Sequence, residues 1–363
     1  MNYTKEQLLL IWLDSFIGLE YKHKQTLYSM AKGSAEIKSL IEKAKEYIIT
    51  SIGEKTYNTL LSSANNDYLK FLIEGYNRKG VKIVTIEDEI YPKLLKQIEI
   101  PPLVLYTKGD LSLLSQKLFS IVGSRKALPI CKEIAKSYGK ALIDNGYILV
   151  TGTAEGIDAT VLETALSLGG MAISVVAGGF DSVYPASNKA LIDKISEKGL
   201  IISEYPPEVK SMPYFFPIRN RIIAGLSKGT LIVSAKIKSG TLYTAEYATI
   251  YGRDVFVIPY GIGIECGAGC NDLIKRGAML TDSPDDIFSF YGEDKMKKIS
   301  LTPIEKEIYD VLKSGEKHVE VICSELKKQV YEISPIISMM EIKGIIYKAG
   351  NNVFGLLQSK AED

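Results

Sequence analysis

The sequence predicts a Rossmann-like α/β domain with a doubly wound, mostly parallel sheet, preceded by a small helical module and followed by a winged helix. Two observations carry the central part of this prediction. Between residues 81 and 290, apolar strand-like runs alternate with helical stretches. Most of these runs lack polar alternation, which is typical of parallel strands that are buried on both faces.

The first part of the chain, residues 1–75, is predicted to be a small helical module. Its first helix covers residues 6–16, where Leu9, Leu10 and Leu13 lie on one face. The following segment, IGLEYKHK, lacks the Gly-x-Gly turn of a helix-hairpin-helix motif. We therefore expect no independent DNA binding from this module.

The central part, residues 76–292, holds the predicted sheet. Its strands are FSIVG, YILVTG, MAISVVAGG, LIISEY, TLIVSA and VFVIP, each β-rich and closely followed by Gly, Ser or Pro. Residues 291–300 are charged and aperiodic, and are predicted to be a linker.

The last part, residues 300–358, is predicted to be a winged helix. Thr302 is a predicted N-cap, with Pro303 at the first helical position and Glu305 completing a capping box. The remaining elements are a helix over 319–326, a helix that opens at Ser334-Pro335 and a hairpin across 350–352.

Composition excludes several classes of protein. The chain has 363 residues, with 44 Lys plus Arg against 43 Asp plus Glu, so the net charge is +1 and any attraction to a polyanion must be local. No run approaches the roughly 18 apolar residues of a membrane-spanning helix, and we expect a cytoplasmic protein. Four cysteines and two histidines predict neither a disulfide framework nor a metal site, and no cofactor is expected.

Loops after three predicted strands are rich in small residues, and the first and third of them also carry positive charge. They are Ser124-Arg125-Lys126, the glycine turn at 151–156 and residues 236–241. Ligands of open parallel sheets bind at the carboxyl ends of the strands, where glycine lets a phosphate approach the backbone. The chain also has no carboxylate between Glu208 and Glu246, although it has six basic residues there. A polyanionic ligand is therefore favoured.

Aromatic rings lie next to this charge in the segment YFFPIRNRII. Phe215 and Phe216 precede the triplet Arg219-Asn220-Arg221. Guanidinium groups bind phosphates and rings stack on bases, which is the chemistry that single-stranded nucleic acid requires. We expect one phenylalanine to be buried and the other to be available.

Catalysis is not indicated by the residue pattern. GSRKAL and GTAEGI do not match the dinucleotide-binding fingerprint, there is no P-loop, and the α/β part has no histidine to act as a base. Asp158 is predicted to cap a helix rather than to transfer protons.

At these residues the chain resembles the DNA-processing protein A family (DprA, also called Smf). The resemblance rests on six motifs in order: YPKLLKQIEIPPLVLYTKGD, IVGSRKA, TGTAEGID, FPIRNRIIAGLSKGTLIVSA, KSGTLYTA and GCNDLIKRGA. The helical module and the winged helix also have counterparts in the family, and the resemblance implies that the helical module is of the SAM or helix-hairpin-helix type.

The resemblance implies a cytosolic protein, not an enzyme, that binds and protects single-stranded DNA and loads the RecA recombinase on it in natural transformation. It also implies a homodimer formed through the Rossmann-like domain. The DNA-binding residues implied by the family pattern are Gly123, Ser124, Arg125, Gly152, Gly156, Phe216, Arg219, Asn220, Arg221, Lys238, Ser239 and Gly240.

Three positions depart from the family pattern. Glu155 stands where members usually have Arg, Leu162 where they have His, and Ser234 where Glu is common. An exchange of charge between Glu155 and Ser234 across the pocket is one hypothesis for these departures.

Two other functions stay open. A Rossmann-like phosphoribohydrolase would act on nucleoside monophosphates, and here KSGTLYTAE would supply Glu246, although it lacks the Pro-Gly-Gly of such enzymes. A transcription regulator would bind duplex DNA through the winged helix. The third helix of that unit has few basic residues, so we favour a protein-interaction role for it.

Overall fold

The structure is a computed structural model that describes residues 3–31, 37–169, 171–293, 301–343 and 345–356. The chain forms two compact units, Met1–Phe290 and Tyr291–Asp363. Most of the predicted linker lies outside the described residues. Within those ranges, no helix combines the length and the apolar character needed to cross a membrane.

Six helices open the first unit. They are α1 (Lys5–Asp14), α2 (Tyr21–Ala31), α3 (Ile37–Lys43), α4 (Lys45–Ser51), α5 (Glu54–Ser63) and α6 (Asn66–Arg78). Thr4 caps α1 and forms a capping box with Gln7, which fixes where this helix begins. The predicted boundary at residue 75 falls inside α6.

Nine strands form the sheet of the first unit. They are β1 (Lys82–Thr85), β2 (Val104–Gly109), β3 (Leu118–Gly123), β4 (Ile148–Thr151), β5 (Ala172–Val175), β6 (Leu200–Ser203), β7 (Gly229–Ser234), β8 (Asp254–Val257) and β9 (Met279–Leu280). Their spatial order is β1-β2-β6-β5-β4-β3-β7-β8-β9. All pairs from β6 to β9 are parallel, whereas β2 pairs antiparallel with both β1 and β6. The predicted doubly wound, mostly parallel sheet is confirmed.

Helices connect and cover these strands. They are α7 (Lys93–Lys96), α8 (Pro129–Asp144), α9 (Ile157–Ser167), α10 (Lys189–Lys198), α11 (Phe215–Leu226), α12 (Thr241–Ile250), α13 (Ala268–Lys275) and α14 (Pro284–Phe290). α9 packs on both α8 and α10, and α11 packs on α12, so the crossovers form two layers.

The helical module and the sheet share a hydrophobic core. Trp12 and Leu60 of the module belong to the same buried cluster as Ile83 of β1 and Val104 and Tyr106 of β2. Residues 1–75 therefore complete the antiparallel edge of the sheet instead of forming a separate body.

The second unit contains α15 (Pro303–Leu312), α16 (Val319–Leu326), α17 (Val330–Ile342) and a sheet of β10 (Lys317–His318), β11 (Ile346–Gly350) and β12 (Val353–Leu356). The strand order is β10-β12-β11, all antiparallel. The capping box of Thr302 and Glu305 and the hairpin across residues 350–352 are present as predicted.

One boundary in this unit differs from the prediction. α17 begins at Val330 and not at Ser334, because Glu332 accepts a hydrogen bond from the backbone nitrogen of Gln329 at 2.8 Å and so satisfies the N-cap five residues before Ser334. Pro335 lies inside the helix and interrupts only one backbone hydrogen bond. The assignment of the unit as a winged helix stays a prediction.

Candidate functional site

A crevice opens where the strand order of the sheet reverses. After β3 the chain moves outward through β4, β5 and β6, and then crosses back to β7 on the other side of β3. The loops after β3 and β7 leave neighbouring strands in opposite directions, and open α/β sheets bind ligands at this point. A cavity of about 580 Å³ lies between these two loops and the start of α11.

Most of the predicted site residues line this cavity. They are Gly123, Ser124, Arg125, Phe216, Arg219, Asn220, Lys238, Ser239 and Gly240. Lys126, Asp158 and Ile237 line it as well, although they were not among the predicted residues. Lys126 could have been found from the sequence because it extends the basic run of the same loop.

Gly152 and Gly156 do not line the cavity, but their lack of a side chain lets the turn after β4 pack closely against the residues that do. A Cβ atom on Gly156 would lie 2.3 Å from the carbonyl oxygens of Ser124 and Arg125, and the φ angle of Gly156 is +83°. A Cβ atom on Gly152 would lie 2.4 Å from Asp158 Oδ2. The glycine turn after β4 therefore supports the loop after β3 from behind.

Arg219 is buried at the back of the cavity. Its Nη1 donates a hydrogen bond to the carbonyl oxygen of Val175 at the end of β5, and Nε donates to Asn220 Oδ1 at 3.2 Å. Burial lowers the pKa of Arg219 to about 10, although the neighbouring Asp158 carboxylate opposes this shift. Its charge thus has a counter-charge within the protein.

Asp158 is the counter-charge and does not cap α9. The N-cap of α9 is Gly156, and Asp158 Oδ2 accepts a hydrogen bond from the backbone nitrogen of Ala154 at 3.3 Å. Burial raises the pKa of Asp158, while Arg219 and the hydrogen bond act in the opposite direction. The prediction of a helix cap is therefore wrong for this side chain.

Arg221 points away from the cavity. It is 5% exposed and pairs with Glu204, which follows β6. Burial alone would lower the pKa of Arg221, but the charge and hydrogen bond of Glu204 raise it above the ordinary arginine value. The structure separates Arg221 from the other predicted site residues because residues two apart on a helix lie on different faces.

Aromatic rings continue the cationic wall. The Arg125 guanidinium carbon lies 5.1 Å from the centre of the Phe216 ring, within cation–π distance. The Phe216 ring packs edge to face on Tyr184, with centres 5.7 Å apart. Phe215 is instead buried and stacks on Tyr205. The expectation of one buried and one available phenylalanine is confirmed.

The loop after β7 carries both paired and unpaired lysines. Lys236 Nζ lies 2.7 Å from Glu265 Oε1, whereas Lys238 has no carboxylate within ion-pair distance among the described residues. Asn220 Nδ2 donates to the Gly240 carbonyl oxygen at 3.2 Å and so ties α11 to this loop. Arg125, Lys126 and Lys238 thus line the cavity and form no ion pair with a carboxylate among those residues, although the charge of Arg125 also opposes the rise in the pKa of Asp158.

The three departures from the family pattern do not meet across the cavity. Glu155 is exposed and accepts a hydrogen bond from Ser187 at 2.9 Å, Leu162 is fully buried, and Ser234 is fully buried beneath the loop after β3. None of them lines the cavity. The geometry gives no support to an exchange of charge between Glu155 and Ser234.

A family model described as DNA recombination-mediator protein A matches residues 82–292. This range is more than half of the chain and includes every residue that lines the cavity. The chain belongs to this family. DNA processing protein DprA of Bacillus subtilis (strain 168) is 38% identical over 218 residues, which cover 60% of this chain and 73% of that protein.

Two solved structures of the DprA family resemble the chain. That of DprA from Streptococcus pneumoniae aligns with a TM-score of 0.69 and 30% identity, covering 80% of this chain and 98% of that one. That of the Helicobacter pylori protein, described as showing a unique single-stranded DNA binding mode, aligns with a TM-score of 0.53 and 30% identity over 59% of this chain and 97% of that one. The resemblance to the DprA family drawn from the motifs is confirmed.

Proposed function

We propose that this chain binds single-stranded DNA in the cavity between the loops after β3 and β7. The observation that carries the proposal is the pairing of Arg125 with the Phe216 ring at 5.1 Å, beside Lys126 and Lys238. Phosphates bind to guanidinium and ammonium groups, and bases stack on aromatic rings. Both kinds of group converge here on one side of a chain whose net charge is only +1.

Binding without catalysis suits the residues of the cavity. Asp158 is its one carboxylate among the described residues, and that side chain is buried against Arg219. No histidine or cysteine is among the residues that line it in the described part of the chain. Glu246, which a phosphoribohydrolase would need, lines a different cavity together with Arg253 and Phe290. The contacts therefore favour a binding protein over a nucleotide-processing enzyme.

The wider function we propose follows from the family. The Helicobacter pylori relative is described by its single-stranded DNA binding mode, and the family is named for recombination mediation. We extend this to protection of incoming single strands, loading of the RecA recombinase on them in natural transformation, homodimer formation through the α/β part and a cytoplasmic location.

Fluorescence anisotropy with labelled single-stranded and duplex oligonucleotides tests the binding site. Arg125→Ala should weaken single-strand binding by about 1.5–3 kcal/mol, which is roughly ten- to 150-fold in Kd, because a charged hydrogen-bond donor is lost. Arg78→Ala, which removes the same charge from the exposed end of α6, is the matched control and should leave Kd unchanged. Equal affinity of wild type and Arg125→Ala would overturn the assignment of the cavity.

A further inference from the structure

Tyr184 has an aromatic ring next to the candidate DNA site, and much of that side chain stays exposed after packing. Arg125 and Phe216 line the cavity, and the Tyr184 ring lies just outside it, packed on the Phe216 ring. Tyr184 is 55% exposed even though its ring packs edge to face on Phe216. An edge-to-face contact at one side of the ring leaves other surface of the tyrosine open to a flat partner.

The loop that carries Tyr184 is held in place. Thr153 Oγ1 donates a hydrogen bond to the Tyr184 carbonyl oxygen at 3.1 Å, and Asn188 Nδ2 donates to the Thr153 carbonyl oxygen at 2.9 Å. Ser187 Oγ also donates to Glu155 Oε1 at 2.9 Å. The loop is therefore bound at several points to the turn after β4, and the ring is positioned before any ligand arrives.

We infer that Tyr184 stacks on a nucleobase of the strand whose phosphate is bound at Arg125, an inference that rests on the proposed function. A base in a single strand can turn its flat face toward such a ring. In a duplex, both faces of each base are covered by its neighbours, and its edge is paired. Tyr184 would thus contribute selectivity for single strands, whereas the cations bind the phosphates of either form.

Tyr214 offers a matched control for this inference. It is 59% exposed, and its ring packs edge to face at 4.7 Å, but on Phe215 rather than on Phe216. Phe215 in turn stacks on Tyr205 and is buried. Removing the Tyr214 ring therefore deletes a tyrosine of similar exposure without touching the Arg125–Phe216–Tyr184 series.

The test compares Tyr184→Ala, Tyr184→Phe and Tyr214→Ala on two labelled strands of equal length, oligothymidylate and an abasic oligonucleotide. Tyr184→Ala should weaken binding of oligothymidylate roughly five- to 150-fold, the range for one base stacked on an aromatic ring. It should leave binding of the abasic strand unchanged, and Tyr184→Phe should retain wild-type affinity for both. Tyr214→Ala should have no base-dependent effect. Thermal unfolding of each variant shows whether it is folded.

Arg125→Ala distinguishes failure of this inference from failure of the proposed function. If Arg125→Ala weakens binding of both strands while Tyr184→Ala affects them equally or not at all, the stacking role is overturned and the DNA site stands. The stacking role is also overturned if Tyr214→Ala, and not Tyr184→Ala, weakens binding of oligothymidylate more than binding of the abasic strand. If Arg125→Ala leaves both affinities unchanged, the proposed function itself fails.

Discussion

Two groups of basic residues near the candidate site have different surroundings. On α11, Arg219 and Arg221 are buried and face Asp158 and Glu204, carboxylates from other parts of the chain. On the loops after β3 and β7, Arg125 and Lys238 line the cavity and form no ion pair in the described ranges. The difference shows that a basic segment can stabilise the fold through buried charge pairs as well as bind a ligand. Each group can be disturbed separately.

Glu204→Ala should give the largest effect, and it should fall on stability. The substitution leaves the Arg221 charge buried without its partner, and breaking a buried pair in this way costs about 3 kcal/mol at the lower end of the usual range. The lower end applies because the Glu204 side chain keeps 18% exposure. Urea unfolding measures the loss of free energy of unfolding.

The double variant Glu204→Ala/Arg221→Met is the control for that prediction. It removes both charges, so it should recover more than half of the lost stability. Single-strand affinity of either folded variant should match that of wild type, since Arg221 does not line the cavity. A large loss of affinity with normal stability would place Arg221 in the ligand-binding group and break the comparison.

Gly156→Ala should disturb the second group through the backbone. The added Cβ would meet the Ser124 and Arg125 carbonyl oxygens at 2.3 Å, and the φ angle of +83° disfavours any side chain. We expect a loss of about 1–3 kcal/mol in stability together with weaker DNA binding. Gly169→Ala has a similar φ of +65° but open space around its Cβ, so it should lose stability only. Equal affinities of the two variants would contradict the support role of Gly156.

Lys238→Gln removes an unpaired lysine and Lys236→Gln removes a paired one, and both lie on the loop after β7. Lys238→Gln should reduce the slope of log affinity against log salt by about 0.7, the value for one phosphate contact to a single strand. Lys236→Gln should reduce the slope less, because its ammonium group already lies 2.7 Å from Glu265. Anisotropy titrations over a series of salt concentrations give both slopes, and a larger change with Lys236→Gln would reverse this assignment.

The smallest effect is expected in the second unit, where Lys343 is a paired cation. Its hydrogen bond to Glu305 and the hydrogen bond from Thr302 hold the pKa of Glu305 below its usual range. A lowered pKa in the folded state means that this stabilisation is present above about pH 4.3 and is lost as the pH falls through the folded pKa.

Glu305→Gln should therefore lower Tm at pH 6 and change it less at pH 3. Circular dichroism melts at the two pH values check this, with Glu307→Gln as the control on the same helix, since Glu307 is exposed. An equal shift in Tm at both pH values would show that the ion pair does not account for the effect.

Most of the parallel sheet could be predicted because its strands are apolar on both faces, and buried apolar runs are visible in a sequence. β1, β2 and β9 were not among the predicted strands. β9 has only two residues, and β1 and β2 depend on antiparallel pairing with distant segments. The start of α17 was misplaced because Ser-Pro is a stronger local signal than Gln329, whose backbone nitrogen is satisfied by Glu332.

The loops of the candidate site could be predicted because glycine and positive charge follow strand ends. The separation of Arg219 from Arg221 could have been anticipated from helical geometry, since each residue advances about 100° around the axis. Their acidic partners could not, because Asp158 and Glu204 come from other segments and are brought near only by folding. Tyr184 carries no charge and lies in no basic run, so nothing local marked it.

The edge strands of the sheet influence whether copies of the protein aggregate. An open sheet ends in two rows of unpaired amides, which can recruit a foreign strand and start aggregation. Here β9 is only two residues long, and β1 is packed against α1. Deleting residues 1–79 would uncover apolar side chains such as Ile83 and Tyr106 beside a free strand edge. The opening helices thus keep these apolar side chains of the antiparallel edge buried, which lowers the tendency of the sheet to aggregate.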